Sequence, residues 1–164
     1  MGPENYFSGP NIIMKKFIVR PITESDFPDW LRMRLLLLPH HSEEEMASEM
    51  MEMFASTNET PVFIAVDDEK KGCGFLEGGM RKYADGCSTS PVGYIEGWYV
   101  EPKYRKQGVG GELVIAFEVW CKQRGLLEVA SDTWQDNLIS ITAHTKLGYT
   151  EVERLVHFSK KILS

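Results

Sequence analysis

Between Tyr94 and Gly111 the chain reads Y-I-E-G-W-Y-V-E-P-K-Y-R-K-Q-G-V-G-G. The pattern is a strand ending near Val100, a break at Pro102, and a glycine-bearing turn that opens a helix. The run Arg105-Lys106-Gln107-Gly108-Val109-Gly110 places glycines where backbone must approach a ligand closely. The first N–H groups of the helix have no carbonyl partner there. Bare amides at the positive end of a helix dipole attract anions, phosphate above all, and Arg105 and Lys106 add full charges. A glycine-softened turn beside a solvated Arg-Lys pair has the same local pattern, so the rest of the chain has to discriminate.

Several chemistries are excluded by spacing. The Lys-Ser/Thr pair of a P-loop does not follow the turn, and the dinucleotide spacing G-x-G-x-x-G is absent. No Ser-His-Asp order or nucleophile elbow is present. His40, His41, His144 and His157 show no metal-ligand spacing, so no metal is expected. Cys73, Cys87 and Cys121 are odd in number and lack a C-x-x-C pair, which points to a reduced, cytoplasmic protein. The formal net charge of −6 argues against sequence-independent nucleic-acid binding, and it permits a cationic small substrate drawn to an acidic cleft. No apolar run approaches the roughly 20 residues that span a bilayer.

The 164 residues suit one domain. Residues 1–13 lack periodicity and are expected to be a disordered leader or expression scar, with a single domain over 14–164. Lys16 to Arg20 is a short strand ended by Pro21. Thr23 to Asp26 forms a capping box before a helix whose buried face is Phe27, Trp30, Leu31, Leu35 and Leu38, stopped by Pro39. Ser42 and Glu45 cap a second helix with Met46, Met50, Met53 and Phe54 on one face and Glu43, Glu44, Glu45, Glu49 and Glu52 on the other. The glutamates read as a solvated face, or in part as the rim of a cation-binding cleft. Val62 to Asp67 and Gly74 to Arg81 form a hairpin. A polar loop then leads to the strand Val92 to Val100, giving an antiparallel meander. A helix from Gly108 to about Arg124 buries Val109, Leu113, Phe117 and Trp120. The strand Leu127 to Ser131 is expected parallel to the strand before that helix. Asp132 to Asn137 caps a last helix, Leu138 to Leu147, and Tyr149 to Lys160 reads as a final long strand. The expected fold class is α/β with a mixed sheet, in the order β-α-α-β-β-β-α-β-α-β.

This order, together with the R-x-x-G-x-G run, resembles the GCN5-related N-acetyltransferase superfamily. There the motif cradles the pyrophosphate of acetyl-coenzyme A. Asn137 and the following A-H-T-K-L-G-Y resemble that superfamily's second cofactor-side signature. The phrases S-P-V-G-Y-I-E-G-W-Y-V-E-P-K-Y-R, E-V-A-S-D-T and H-T-K-L-G-Y-T-E-V-E-R resemble bacterial aminoglycoside 6′-N-acetyltransferases more closely.

The resemblance implies acetyl-coenzyme A as co-substrate. Its contacts are expected from Trp98, Tyr99, Val100, Arg105, Lys106, Gln107, Gly108, Val109, Gly110, Gly111 and Asn137. It implies Glu96 and Asp132 as the catalytic acidic pair near the amine. His41, Tyr83 and Glu153, with that pair, are expected to line the aminoglycoside pocket. Two departures bear on which drugs fit: Leu38 stands before Pro39 where these enzymes commonly have Trp, and the loop from Arg81 to Cys87 is one residue shorter.

These residue types suit the chemistry. A polycation needs several carboxylates to replace its lost hydration, and its 6′-ammonium must lose a proton before attacking a thioester, so a carboxylate is a sensible base. Backbone N–H groups near Trp98 to Val100 are candidates for the thioester oxygen. Direct transfer in a ternary complex needs no nucleophilic cysteine, and Tyr149 is one candidate general acid. The resemblance also implies a homodimer formed through the C-terminal strand, with Leu155 to Phe158 in the exchange. Two alternatives stay open: an enzyme of the same fold acting on a polyamine or peptide N-terminus, and a non-catalytic coenzyme A-binding module.

Overall fold

The computed structural model describes residues 17–162. The expected leader, and Lys16 of the first strand, lie outside the described residues. Nine regular elements follow in the order β1 (Phe17–Pro21), α1 (Phe27–Leu37), α2 (Glu43–Ala55), β2 (Val62–Asp67), β3 (Gly72–Arg81), β4 (Val92–Val100), α3 (Val109–Gln123), β5 (Val129–Ser131) and α4 (Leu138–Lys146). The five strands form one sheet in sequence order. Its first four strands are antiparallel, and β5 lies parallel to β4.

Alternation along the strands sets two layers. Phe63 and Ala65 of β2 and Leu76 of β3 join Leu113, Val114 and Phe117 of α3 on one side of the sheet. Val62, Ile64 and Val66 of β2 and Phe75 of β3 join Trp30, Met33 and Met50 of α1 and α2 on the other. Every residue of β2 is buried, as expected of a strand covered on both faces. Gly78 lets α3 sit directly on the sheet, since a Cβ there would lie 2.3 Å from the Phe117 ring.

The helix starts follow the capping pattern. Ser42 Oγ accepts from the Glu45 backbone N–H at 3.2 Å, and the Glu45 carboxylate accepts from the Ser42 N–H at 3.1 Å. Before α1, Asp26 accepts from Thr23 N–H at 2.7 Å and is clasped by Arg20 at 2.6 and 2.8 Å.

Two expectations are corrected. The buried face of α1 is Trp30, Met33 and Arg34, while Leu35 is half-buried and Leu38 exposed beyond the helix end. Arg34 takes a core position because Glu77 on β3 meets it there. Second, the strand expected over Tyr149 to Lys160 is not formed. Among the described residues this segment has no ladder partner, and Val152, Leu155, Val156 and Phe158 are exposed. A strand needs a neighbour to satisfy its backbone, and no described strand pairs with the segment. Only its start is docked, with Val152 against Gly86, whose φ of 76° excludes a side chain.

Candidate active site

The site is built where β4 and β5 part. Their register runs Gly93 to Val129, Tyr94 to Ala130 and Ile95 to Ser131, and then ends. One residue further along the two strands lie Glu96 and Asp132, both near enough to Arg81 to help raise its pKa. On its other edge β4 has an irregularity at the same place. Glu77 pairs with Gly97 and Gly78 with Ile95, so Glu96 is left as the extra residue of a β-bulge. Beyond the bulge, Trp98, Tyr99 and Val100 remain paired to β3 but have no β5 partner, which opens the backbone edge on that side.

The helix ends close on this opening. The start of α3 approaches β4 so closely that a Cβ on Gly110 would lie 2.9 Å from the Trp98 indole. Gly108, the residue before α3, has φ of 89° and open space around it, and Lys106 has φ of 61°. Alternating left-handed residues turn successive N–H groups toward one point, an anion-binding concavity. The Arg105 guanidinium donates from Nε to the Val100 carbonyl at 2.8 Å, and Gln107 donates to the Lys103 carbonyl at 2.7 Å. Tyr104, just before them, donates to Asp67 on β2. The loop is thus tied down by its side chains, leaving its backbone amides for a ligand. Gly111 sits under Leu147, and Val109 is buried in the core.

From the other side α4 leans on the same tryptophan. His144 meets the Trp98 ring edge-on at 5.1 Å and reaches Ser131 Oγ at 3.0 Å. Asn137 caps α4, accepting from Ser140 N–H at 3.2 Å. With that oxygen engaged, a ligand contact from Asn137 would come from its amide N–H₂. The Trp98 Nε1 is buried and has no partner among the described residues. An orphan donor beside a cradle that a methyl group would fill fits an elongated ligand with acceptor atoms and an anionic end.

On the sheet face toward α1 and α2, a cavity of about 310 Å³ is lined by Glu59, Thr60, Gly78, Gly79, Met80 and Glu96. The Glu96 carboxylate is held by Arg81 through two bonds of 2.8 and 2.6 Å. The Arg81 guanidinium lies 3.4 Å from the centre of the Tyr94 ring. Tyr94 in turn donates its hydroxyl to Asp132 at 2.8 Å. Burial, and then that bond, push the Tyr94 phenol up to about 12, so it stays a donor at neutral pH. The bond to Glu96 raises Arg81 above its ordinary value.

The remaining expected residues are more dispersed. Tyr83 is exposed and donates to Asp85 at 2.8 Å, a bond that raises its pKa. Glu153 lies close enough to add to that rise. His41 lies in the exposed turn after α1, with its N–H on the Leu38 carbonyl and its ring near Glu45. Tyr149 donates to Glu118 on α3 at 3.1 Å, and burial raises its pKa.

Three groups were missed from sequence. Arg81 carries no motif, and Tyr94, though inside the quoted stretch, was given no role. The third is a buried cluster under the bulge. Glu77 accepts from Trp30 Nε1 at 2.6 Å, and Arg34 Nε lies 2.9 Å from the same oxygen, though its N–H does not point along a hydrogen bond. Arg34 also bonds Glu49 at 2.9 Å and the Met46 carbonyl at 3.3 Å. Available signals were a glutamate inside the apolar run G-F-L-E-G-G-M and the Trp30–Arg34 spacing of one helical turn.

Residues 25–149 match the acetyltransferase (GNAT) family. The chain belongs to that family. Within it, the aminoglycoside N(6′)-acetyltransferase type 1 of Klebsiella aerogenes is 41% identical over 147 residues, which is 88% of this chain and 97% of that protein. The protein of the same name from Acinetobacter genomosp. 13 is 40% identical over 145 residues, 88% of this chain and 98% of its own. Among solved structures, the aminoglycoside antibiotic 6′-N-acetyltransferase AAC(6′)-Ih from Acinetobacter baumannii has a TM-score of 0.81 at 38% identity, covering 89% of this chain and 99% of that one. The acetyltransferase AAC(6′)-Iy, solved with the bisubstrate analogue CoA-S-monomethyl-acetylneamine, has a TM-score of 0.82 at 31% identity, with coverage of 89% and 99%. Among the described residues of this family member, no helix is long and apolar enough to cross a membrane.

Proposed function

We propose that the protein transfers the acetyl group of acetyl-coenzyme A to the 6′-amine of aminoglycosides, by direct attack in a ternary complex, and so confers resistance to these drugs. The observation that carries this reading is the Glu96–Asp132 pair placed where β4 and β5 part, with an anion cradle at the start of α3 against the same strand. The relatives named for this activity, at about 40% identity over most of both chains, support the acceptor class.

The cradle of Gly108, Val109, Gly110 and Gly111, with Arg105, Lys106 and Gln107 before it, would hold the pyrophosphate. Trp98, Tyr99, Val100 and Asn137 would hold the arm that carries the thioester. Acetyl-coenzyme A supplies the acyl group, which the amine takes with release of the free thiol. Glu96 accepts the proton of the 6′-ammonium, directly or through one water. Asp132 holds a ring ammonium. Tyr83 and Glu153, which the structure brings near each other, extend the pocket, with His41 at its rim. Backbone N–H groups of Trp98 to Val100 face charge developing on the thioester oxygen. Burial pushes the Cys121 thiol up to about 11 and Cys73 to about 12, which supports direct transfer over an acyl-cysteine route.

A Gly110→Ala variant places a methyl group against the Trp98 ring. The expected result is a fall of about fivefold or more in acetyl-coenzyme A affinity by calorimetry, the low end of the roughly 1–3 kcal/mol that overpacking costs. Unchanged affinity would separate this close contact from cofactor binding.

The same reading takes the domain from Met14 onward as a cytoplasmic homodimer. The exposed Leu155, Val156 and Phe158 of an unpaired segment support pairing with a second chain. Sedimentation of the full chain should show a dimer, and a chain ending at Glu151 a monomer; equal masses would refute it. For the activity itself, expression in a susceptible bacterium should raise the inhibitory concentration of a drug with a 6′-amine, and the recovered drug should carry its acetyl group on that nitrogen. An acetyl on a ring amine would refute the 6′ assignment.

A further inference from the structure

Two arginine–glutamate pairs lie on the same face of the sheet, and they differ in one respect. Arg34 and Glu77 are each about 6% exposed in their side chains, sealed between α1 and β3. Arg81 and Glu96 are 45% and 43% exposed, although their geometry is the better of the two. The first pair is built into the fold. The second stands in water at the mouth of a cavity, where an ion pair contributes little to stability.

The open pair also covers the groups that the proposed reaction needs. Both Glu96 oxygens accept from Arg81, and the guanidinium is laid on the Tyr94 ring, whose hydroxyl binds Asp132. One side chain therefore connects the two acceptor-site carboxylates, and it presents a cation where an ammonium would stand. A base that already accepts two bonds from a guanidinium is poorly placed to take a proton.

We propose that Arg81 is a built-in counter-cation of the acceptor site, which the substrate's ammonium must displace from Glu96, and that it thereby selects polycations over monoamines. This rests on the acetyl-transfer reading given above. The selection follows from exchange. A monoamine entering the site replaces one cation by another and gains little. A polycation also meets Asp132 and Glu59, and those contacts drive the exchange. Release of Arg81 then frees Glu96 at the moment an ammonium is beside it.

The test compares wild type, Arg81→Ala, Glu96→Gln and the double variant. Arg81 ends a strand at the surface, so its removal leaves the core untouched. The pair and the cation–π contact are both exposed to water and individually weak, so the shift is modest. Arg81→Ala should therefore lower KM for a kanamycin-type drug by about threefold to tenfold, with kcat within about twofold. The gain should vanish when Glu96 is already glutamine. A monoamino sugar bearing only the 6′-type amine should gain more than the drug, narrowing the preference, and an equal gain would overturn the selective role. A raised KM, or a kcat loss at constant KM, would overturn the proposal and make Arg81 a positioning residue for Glu96. Spermine binding, measured by calorimetry on the same proteins, separates this result from the identity of the acceptor. Tighter spermine binding by Arg81→Ala supports the counter-cation even if the drug proves not to be a substrate, and equal binding overturns it whatever the drug does.

Discussion

Replacing Glu96 with glutamine should cut kcat for the 6′-amine by about 10²- to 10⁴-fold, the usual contribution of a positioned general base. Affinity for acetyl-coenzyme A should stay within about twofold. The separation follows from the sheet. Glu96 opens into the cavity shared with Glu59 and Thr60, whereas the α3 cradle packs against Trp98, two residues further along β4. Steady-state kinetics paired with calorimetry reads both quantities. Glutamine keeps the volume and can still hydrogen-bond Arg81, so a large loss reports proton transfer and charge. A loss below about threefold would retire Glu96 as the base and move that role to a water or to Asp132.

Removing Arg34 should have the largest effect on stability. An Arg34→Ala variant leaves Glu77 buried without its cation, and breaking a buried pair from one side costs about 3–5 kcal/mol. For a chain of this size that lowers Tm by about 6–20 °C. The pH dependence has a definite sign. Burial raises the Glu77 carboxyl to about 7 from its ordinary 4.5, with Arg34 opposing that rise. A carboxyl raised in the folded state contributes its stability fully below the ordinary value, and loses it as pH climbs through the folded one. Without Arg34 the folded value moves higher still, and Glu77 folds as the neutral acid over a wider range. The deficit of the variant should thus be smaller at pH 5, where the carboxyl is neutral in both proteins, and larger at pH 8, where the wild-type pair is ionised. Thermal unfolding at the two values tests this, and equal deficits would show that Glu77 is not the group responsible.

Much of the scaffold was legible because local chemistry and packing agree there. Ser42 and Glu45 close their capping box, Met46 and Met50 are buried at helical spacing, and the glycine turn opens α3 one residue after Gly108. Parallel pairing of β5 followed from the helix between it and β4. The setting of Glu96 against β3 was not visible in the same way. It depends on a bulge, which inserts one residue without leaving a composition signal. Arg34 was hidden because a helical stripe is read from apolar residues, and the buried face of α1 includes a cation matched to Glu77 two strands away in the chain. Arg81 was hidden because the end of a strand before a polar loop is an ordinary place for arginine. The segment from Tyr149 to Lys160 failed for a different reason. Its β-branched and aromatic residues carry strand propensity, but a strand exists only with a neighbour, and propensity does not supply one.

The most direct test of the central claim is thiol release from acetyl-coenzyme A with two kanamycin-type drugs that differ only at the 6′ position. Release with the 6′-amine and none with the 6′-hydroxyl is the expected result, since Glu96 and Asp132 would then be serving that nitrogen. Release with both would mean that another amine is acetylated, and the orientation given to the acceptor would be wrong. Silence with both, while acetyl-coenzyme A still binds, would contradict the aminoglycoside reading and turn attention to polyamines and peptide N-termini.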